Sequence, residues 1–258
     1  MNKHGDFIWY ELLTSDIDAA GAFYAGVIGW TMAGSGQPGV DYRILSSDTG
    51  AIAGAMQILP QMAEHGARPG WLGYLGVDDV DASVESVSAA GGAVHTPPMT
   101  MEGVGRMAMV ADPQGAPFYV MRGASDQASL SFAWDKPRIG HCAWNELATA
   151  DPDAAKAFYA GQFGWMQDGE MPMGEIGSYA FMRGGSGVFG AVMPKQDGMP
   201  ASSWTYYFRV TDIDIAAAAI AAGGGAIVQP PVEIPGGDYS LVATDPQGAT
   251  FGLVGARS

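Results

Sequence analysis

Trp9-Tyr10-Glu11-Leu12 opens a stretch that runs through Asp16, Ala19-Ala20 and Ala22-Phe23-Tyr24-Ala25-Gly26 to Gly29-Trp30. It returns as Trp144-Asn145-Glu146-Leu147, Asp151, Ala154-Ala155, Ala157-Phe158-Tyr159-Ala160-Gly161 and Gly164-Trp165, with Trp9 to Trp144 setting an offset of 135 that every pair keeps. Working outward, Trp71 and Tyr74 answer Trp204 and Tyr207, and Gly91-Gly92-Ala93 answers Gly224-Gly225-Ala226. Pro97-Pro98 answers Pro230-Pro231, and Asp112-Pro113-Gln114-Gly115-Ala116 answers Asp245-Pro246-Gln247-Gly248-Ala249, now at an offset of 133. Order and spacing kept this far mean a duplication, and repeats take precedence over local structure in fixing an architecture. The polar run from Gly123 to Gln127 and the stop at Pro137 mark the joint. The expected organisation is a domain at 1–124, a linker at 125–137 and a second domain at 138–258.

Each half carries a weaker repeat of its own. Residues 7–13 alternate as a strand does, and Ser15 or Asp16 can cap a helix whose apolar stripe runs through Ile17, Ala20, Tyr24 and Val27-Ile28. Gly29 ends it. Strand-like runs follow at 42–45 and 51–59. The order then recurs: a strand over 71–77, a helix capped at Asp78-Asp79 and stopped by Gly91-Gly92, and strands at 93–96, 106–111 and 118–121. The fold class is therefore α+β, with four βαβββ units in two tandem domains. A sheet with one helix-covered face leaves the other needing a partner, and two units side by side can curve a mixed sheet into a cup, a natural small-molecule site.

Bulk properties narrow the partners. The 258 residues are 48% hydrophobic and 15% charged, which suits a well-buried globular chain. A net charge of −15 repels phosphate backbones and anionic lipid, so neither nucleic acid nor a membrane surface is an expected partner. The lone Cys142 excludes an intramolecular disulfide. The first residues lack the apolar run of a signal peptide, and no stretch approaches a bilayer span, so the expected compartment is the cytoplasm.

On Asp16-x-x-Ala19-Ala20-x-x-Phe23-Tyr24 with Gly29-Trp30, Val77-Asp78-Asp79-Val80-Asp81 and Asp112-Pro113-Gln114-Gly115, the chain resembles the vicinal oxygen chelate superfamily of glyoxalases, bleomycin-resistance proteins and extradiol dioxygenases. The second half carries the same motifs at 151–165, 210–214 and 245–248. The resemblance implies glyoxalase-like domains, and a divalent metal held by His, Gln or Glu at four strand positions. Carried over residue by residue, those positions fall on Trp9 and Trp144, near Met56 and Val192, on Leu72 and Thr205, and on Tyr119 and Gly252. None is a good ligand for such an ion. No cofactor is therefore expected, and a divalent metal on displaced ligands is the alternative.

Alternation puts Glu11 on the face of Trp9 and Glu146 on that of Trp144, with Tyr74 and Tyr207 expected in the opposite walls. A carboxylate held among apolar residues against an indole resists ionisation, which suits general acid–base work. Glu11 and Glu146 are thus the candidate catalytic residues. The plainer reading, which the residues favour, is that each hydrogen-bonds backbone or a Tyr hydroxyl, or pairs with an Arg, and only shapes the cup. Trp9, Met56, Leu72, Tyr74, Arg106, Tyr119, Trp144, Thr205 and Tyr207 are the candidate ligand-binding residues, Arg106 because a guanidinium can clamp an acid. His4, His65, His95 and His141 are too scattered to form a cluster, and methionines near 99–109 read as filler or as an adaptable apolar lining. Three functions stay open: acid–base lyase, isomerase or hydrolase chemistry on a small, partly hydrophobic molecule without metal; non-catalytic binding; and a metalloenzyme with displaced ligands. Four units in one chain can pair internally, so a monomer or a homodimer is expected.

Overall fold

The computed structural model describes residues 2–37, 41–199 and 201–257. The first βαβββ module comprises β1 (Phe7–Thr14), α1 (Ile17–Ile28), β2 (Thr31–Gly34), β3 (Tyr42–Ser47) and β4 (Gly50–Gln57), and a short helix, α2 (Pro60–Glu64), leads out of it. The second comprises β5 (Gly70–Gly76), α3 (Val80–Ala89), β6 (Ala93–Met101), β7 (Gly105–Ala111) and β8 (Pro117–Gly123). The third is β9 (Cys142–Thr149), α4 (Pro152–Phe163), β10 (Met166–Pro172), β11 (Ser178–Arg183) and β12 (Val188–Pro194). The fourth is β13 (Ser203–Asp212), α5 (Ile213–Ala222), β14 (Ala226–Glu233), β15 (Tyr239–Thr244) and β16 (Thr250–Ala256).

The strands lie in two eight-stranded sheets, β1–β8 in one and β9–β16 in the other. Within the modules the order is β2-β3-β4-β1, β5-β8-β7-β6, β10-β11-β12-β9 and β13-β16-β15-β14. The first strand of a module pairs in parallel with its last, and the other pairs are antiparallel. This is the α+β arrangement of four βαβββ units that the repeats require.

Local chemistry fixes the helix ends. The carboxylates of Asp16, Asp79 and Asp151 each accept the backbone N–H three residues on, the usual N-cap bond. Gly29 (φ 88°) and Gly164 (φ 68°) end α1 and α4 in the left-handed conformation that glycine adopts without steric cost. α1 buries Ile17, Ala20, Phe23, Tyr24, Val27 and Ile28, the stripe visible in the sequence.

Packing divides the chain differently from the repeat. One compact unit is built from residues 1–8, 73–129 and 144–205, the other from 9–72, 130–143 and 206–258. Each unit therefore takes one module from either half of the duplication, and the bonds inside the two units mirror each other. In the first, the Tyr159 hydroxyl on α4 donates to Asp112 Oδ2 (3.1 Å) and accepts from Trp204 Nε1 (3.2 Å). In the second, the Tyr24 hydroxyl on α1 donates to Asp245 Oδ2 (3.1 Å) and accepts from Trp71 Nε1 (2.9 Å). Trp165 donates to the Gly5 carbonyl (3.0 Å) in the first unit, and Trp30 to that of Gly140 (2.8 Å) in the second. This exchange pattern, residue i with j and j with i, is that of an isologous dimer.

The Asp-Pro-Gln-Gly turns explain why the acids are buried. Asp112 Oδ1 accepts the N–H groups of Gln114 and Ala116, and Asp245 Oδ1 those of Gln247 and Ala249. One oxygen closes the turn while the other takes the tyrosine. Burial pushes both carboxyls above their ordinary value, and burial beside Asp245 raises the Tyr24 phenol well above its own.

Candidate functional site

Each module presents one sheet face to helices and the other away from them. Phe118 of β8 packs its ring on Tyr159 and Phe163 of α4, so Tyr119, the next residue, points to the opposite, helix-free face. Phe251 of β16 packs on Phe23 and Tyr24 of α1, which sends Gly252 the other way. In β1, Tyr10 packs on Tyr206 and Phe208, and Phe208 on Trp30 and Trp71, which leaves Trp9 and Glu11 on the helix-free face.

In the first unit that face carries a three-residue chain of hydrogen bonds. Trp144 Nε1 donates to the Tyr179 hydroxyl at 2.7 Å, and that hydroxyl donates to Glu146 Oε2 at 2.6 Å. All three residues are half-buried. Phe181 packs edge-on against both rings, 6.0 Å from Trp144 and 5.9 Å from Tyr179. At 2.6 Å this O–H···O bond lies at the short end of the range for such bonds, and the indole donor polarises the phenol further.

The second unit repeats the motif. Trp9 Nε1 donates to the Tyr42 hydroxyl at 2.9 Å. Glu11, 3% exposed, faces Gly54 in the β1–β4 register, and a Cβ on Gly54 would lie 1.9 Å from the Tyr42 hydroxyl oxygen. The phenol therefore lies over the strand position opposite the carboxylate, and only glycine fits beneath it. In the first unit Ala191 stands opposite Glu146.

The other candidates distribute as follows. Met56 is half-buried opposite Leu13 and Tyr42. Its counterpart is Met193 rather than Val192, because Ala148 faces Met193 as Leu13 faces Met56. Tyr74 and Tyr119 pair across β5 and β8 with rings stacked at 4.2 Å and 11°. Tyr207 instead lies flat over its partner Gly252, where a Cβ would come within 2.3 Å of the ring. Leu72 is buried and Thr205 half-buried, each at the start of the first strand of its module.

Arg106 is placed elsewhere. Its Nε and Nη2 donate to the two oxygens of Asp81 on α3, at 2.6 Å each, so the guanidinium is clamped to the helix instead of being offered to a ligand on the helix-free face. At the equivalent place in the second unit, Arg257 binds Asp214 of α5 bidentately and stacks on Tyr239. Both are ion pairs between helix and sheet.

Sequence reasoning missed Tyr42 and Tyr179, the phenols that meet the two indoles. Tyr42 opens β3 and Tyr179 is the second residue of β11, and their mutual offset of 137 differs from the offsets of the flanking blocks, which hid the match.

The divalent ion that the resemblance implies can be tested against these side chains. The strand positions carry indole, thioether, aliphatic, hydroxyl and phenol groups. Among the described residues, no three His, Cys, Asp or Glu side chains converge as a metal site would require. His95 and His65 are exposed, His4 meets the carbonyl of Gln162, and His141 is buried between the Leu130 carbonyl (2.5 Å) and Thr49 Oγ1 (2.6 Å). The donor set does not fit the ion.

The family model described as Glyoxalase/Bleomycin resistance protein/Dioxygenase superfamily matches residues 7–120 and again 138–253. A protein provisionally described as glyoxylase CFP32 from Mycobacterium tuberculosis is 34% identical over 98% of this chain and 95% of its own length. The anthracycline biosynthesis protein DnrV of Streptomyces peucetius is 30% identical over 96% and 92%. Among solved structures, a Mn(II)-bound glyoxalase from Novosphingobium aromaticivorans superposes with a TM-score of 0.65 at 19% identity, covering 100% of this chain and 84% of that one. A catechol 2,3-dioxygenase does so at 0.61 and 13%, covering 100% and 89%. At such identities these structures speak for the fold alone.

Proposed function

Because the chain belongs to the Glyoxalase/Bleomycin resistance protein/Dioxygenase superfamily, we propose that it binds a small, partly hydrophobic organic molecule on its helix-free sheet faces and acts on it by metal-independent acid–base chemistry. The observation that carries this reading is the Trp144–Tyr179–Glu146 chain, with its echo at Trp9, Tyr42 and Glu11. Glu146 is the base. It takes a proton from the carbon beside a carbonyl of the bound molecule, the C–H electron pair passing into an enolate; the proton is returned either to an adjacent atom of that enolate, an isomerase step, or to a β-substituent that the enolate electrons expel as its bond to carbon breaks, a lyase step. Tyr179, held by the Trp144 indole, fixes the orientation of Oε2. The relative named for anthracycline biosynthesis supports an organic ligand with apolar surface.

The test has two arms. Protein purified without tag or chelator is assayed for metal by elemental mass spectrometry, and small hydroxy- and keto-carbonyl compounds are screened by Trp quenching and, for turnover, by NMR. Less than a tenth of an equivalent of metal, with turnover lost in Glu146→Gln while quenching persists, is the expected result. One tightly held ion per chain overturns the metal-independent part. Quenching without turnover in the unsubstituted chain leaves a binding protein and removes the base from Glu146.

A further inference from the structure

The sheet face of the second module differs in kind from its counterpart in the fourth. Across β6, β7 and β8, Met99 faces Met107 and Met107 faces Met121 in register, while Met109 faces Tyr119 one row along. Directly opposed residues share a face, so four thioethers and the Tyr74–Tyr119 stack form one continuous surface on the helix-free side. Phe118 and Val120, on the other side, are buried at 1% and 0%. The surface is graded: Met99 is 44% exposed, Met109, Met121 and Tyr119 are half-buried, and Met107 is 7% exposed.

The fourth module repeats the backbone register without this chemistry. Val232 faces Ser240, Ser240 faces Val254 and Val242 faces Gly252, position for position. A sheet face of this geometry thus needs neither sulfur nor a second phenol to fold. Methionine is a poor choice for specifying a core, because its three rotatable bonds leave it adaptable; its thioether is polarisable and attracts aromatic rings. Two phenols already stacked at 4.2 Å present a planar edge against which a further ring can lie.

We propose that the Met99–Met107–Met109–Met121 face, with Tyr74 and Tyr119, is a binding site for a planar conjugated ring system. This deepens the function proposed above and rests on it for the existence of an organic ligand. Charge complementarity is not part of the recognition. The six side chains that make the face, four methionines and two tyrosines, carry no formal charge, so the ligand part that lies here is neutral and aromatic.

The full chain, with its methionine methyls labelled with carbon-13, is titrated with naphthol and separately with decalol, the saturated molecule of similar size. Single Met→Leu variants assign the resonances. Naphthol is expected to shift the Met107, Met109 and Met121 methyls upfield by ring current, and to bind about tenfold more tightly than decalol. Met109→Leu with Met121→Leu keeps apolar volume and is expected to remove about that tenfold preference. Tyr119→Gly, which copies the fourth module at Gly252, is expected to weaken naphthol as well. Equal affinity for the two probes, or naphthol shifts confined to other methionines, overturns the assignment. If naphthol still quenches Trp fluorescence in that case, the helix-free-face reading survives and only this site falls. If neither probe binds and no carbonyl compound is turned over, both fall.

Discussion

Replacing Tyr159 by Phe removes one oxygen atom and strands two buried partners. The hydroxyl donates to Asp112 Oδ2 at 3.1 Å and accepts from the Trp204 indole at 3.2 Å, and Tyr159 itself is wholly buried. Each group left without a partner costs about 1–3 kcal/mol, with the charged acceptor at the upper end. The ring stays, so no cavity term is added. A loss of about 2–6 kcal/mol near neutral pH follows, which for a chain of this size lowers Tm by roughly 4–24 °C. The cost is linked to pH. Burial already holds Asp112 above its ordinary 3.8, and the Tyr159 hydrogen bond opposes that rise. Without the hydroxyl the folded pKa climbs further. Below 3.8 both states carry the proton and the variants differ only by the neutral hydrogen bonds. As pH rises above that value the unfolded chain releases its proton first, so stability declines through the window up to the folded pKa, and the window is wider in the variant. Urea denaturation of both proteins at pH 5 and pH 7.5, followed by circular dichroism and Trp fluorescence, measures it. A difference under about 0.5 kcal/mol, or one no larger at pH 7.5 than at pH 5, would refute the relay as a stabilising element.

Three further outcomes are expected. Gly190→Ala should abolish folding of the first unit or destabilise it by more than about 4 kcal/mol, because its Cβ would lie 1.7 Å from the Asn145 carbonyl oxygen on the paired strand; soluble expression with an unchanged melting curve contradicts this. His141 titrates with the opposite sign from Asp112. Burial lowers its folded pKa below 6.5, so stability is full above that value and is lost as pH falls through the window beneath it, and His141→Gln should flatten that part of the stability–pH curve. Trp144→Phe removes the donor to Tyr179 while keeping an aromatic ring, and should shift the pH profile of any Glu146-dependent turnover without abolishing ligand-induced fluorescence changes; an unmoved profile makes the indole a mere wall.

Much of this architecture was legible before any coordinates. The aspartates that cap α1, α3 and α4 stand three residues ahead of an alanine whose N–H they accept, and Gly29 and Gly164 end helices in the one conformation that favours glycine. Short, weakly apolar strands were not legible. β2 and β10 are exposed over nearly all of their length, so no alternation marks them, and β6 runs on through Pro97-Pro98 because it is an edge strand whose missing N–H groups need no partner. The carboxylates were readable from strand parity. Their phenol partners were not, since a hydroxyl arriving from two strands away leaves no local signature, and Tyr42 and Tyr179 are visible only once Gly54 and Ala191 are known to sit opposite the acids. Arg106 misled because sequence shows a strand arginine but not the Asp81 on the helix above it.

The duplication also supplies an internal comparison that separates packing from ligand recognition. Two copies of one fold keep the same residues where the modules inside each unit are held together: tyrosine on aspartate at Tyr24 and Tyr159, indole on glycine carbonyl at Trp30 and Trp165. Gly5 and Gly140 both sit near φ +80°, and a side chain on either would meet the indole at 3.0 Å, so neither half was free to change there. The helix-free faces were free. Tyr119 has become Gly252, Met109 has become Val242, Met107 has become Ser240, and Gly54 stands against Ala191, all without disturbing the register of the strands that carry them. Differences of that kind are tolerated by the fold but alter what each face can hold, whereas the Trp–Tyr pairs at Trp9 and Trp144 persist on both faces although no helix packs on them. Persistence away from the core and divergence around it is the pattern of a site that kept one chemical group and changed its surroundings.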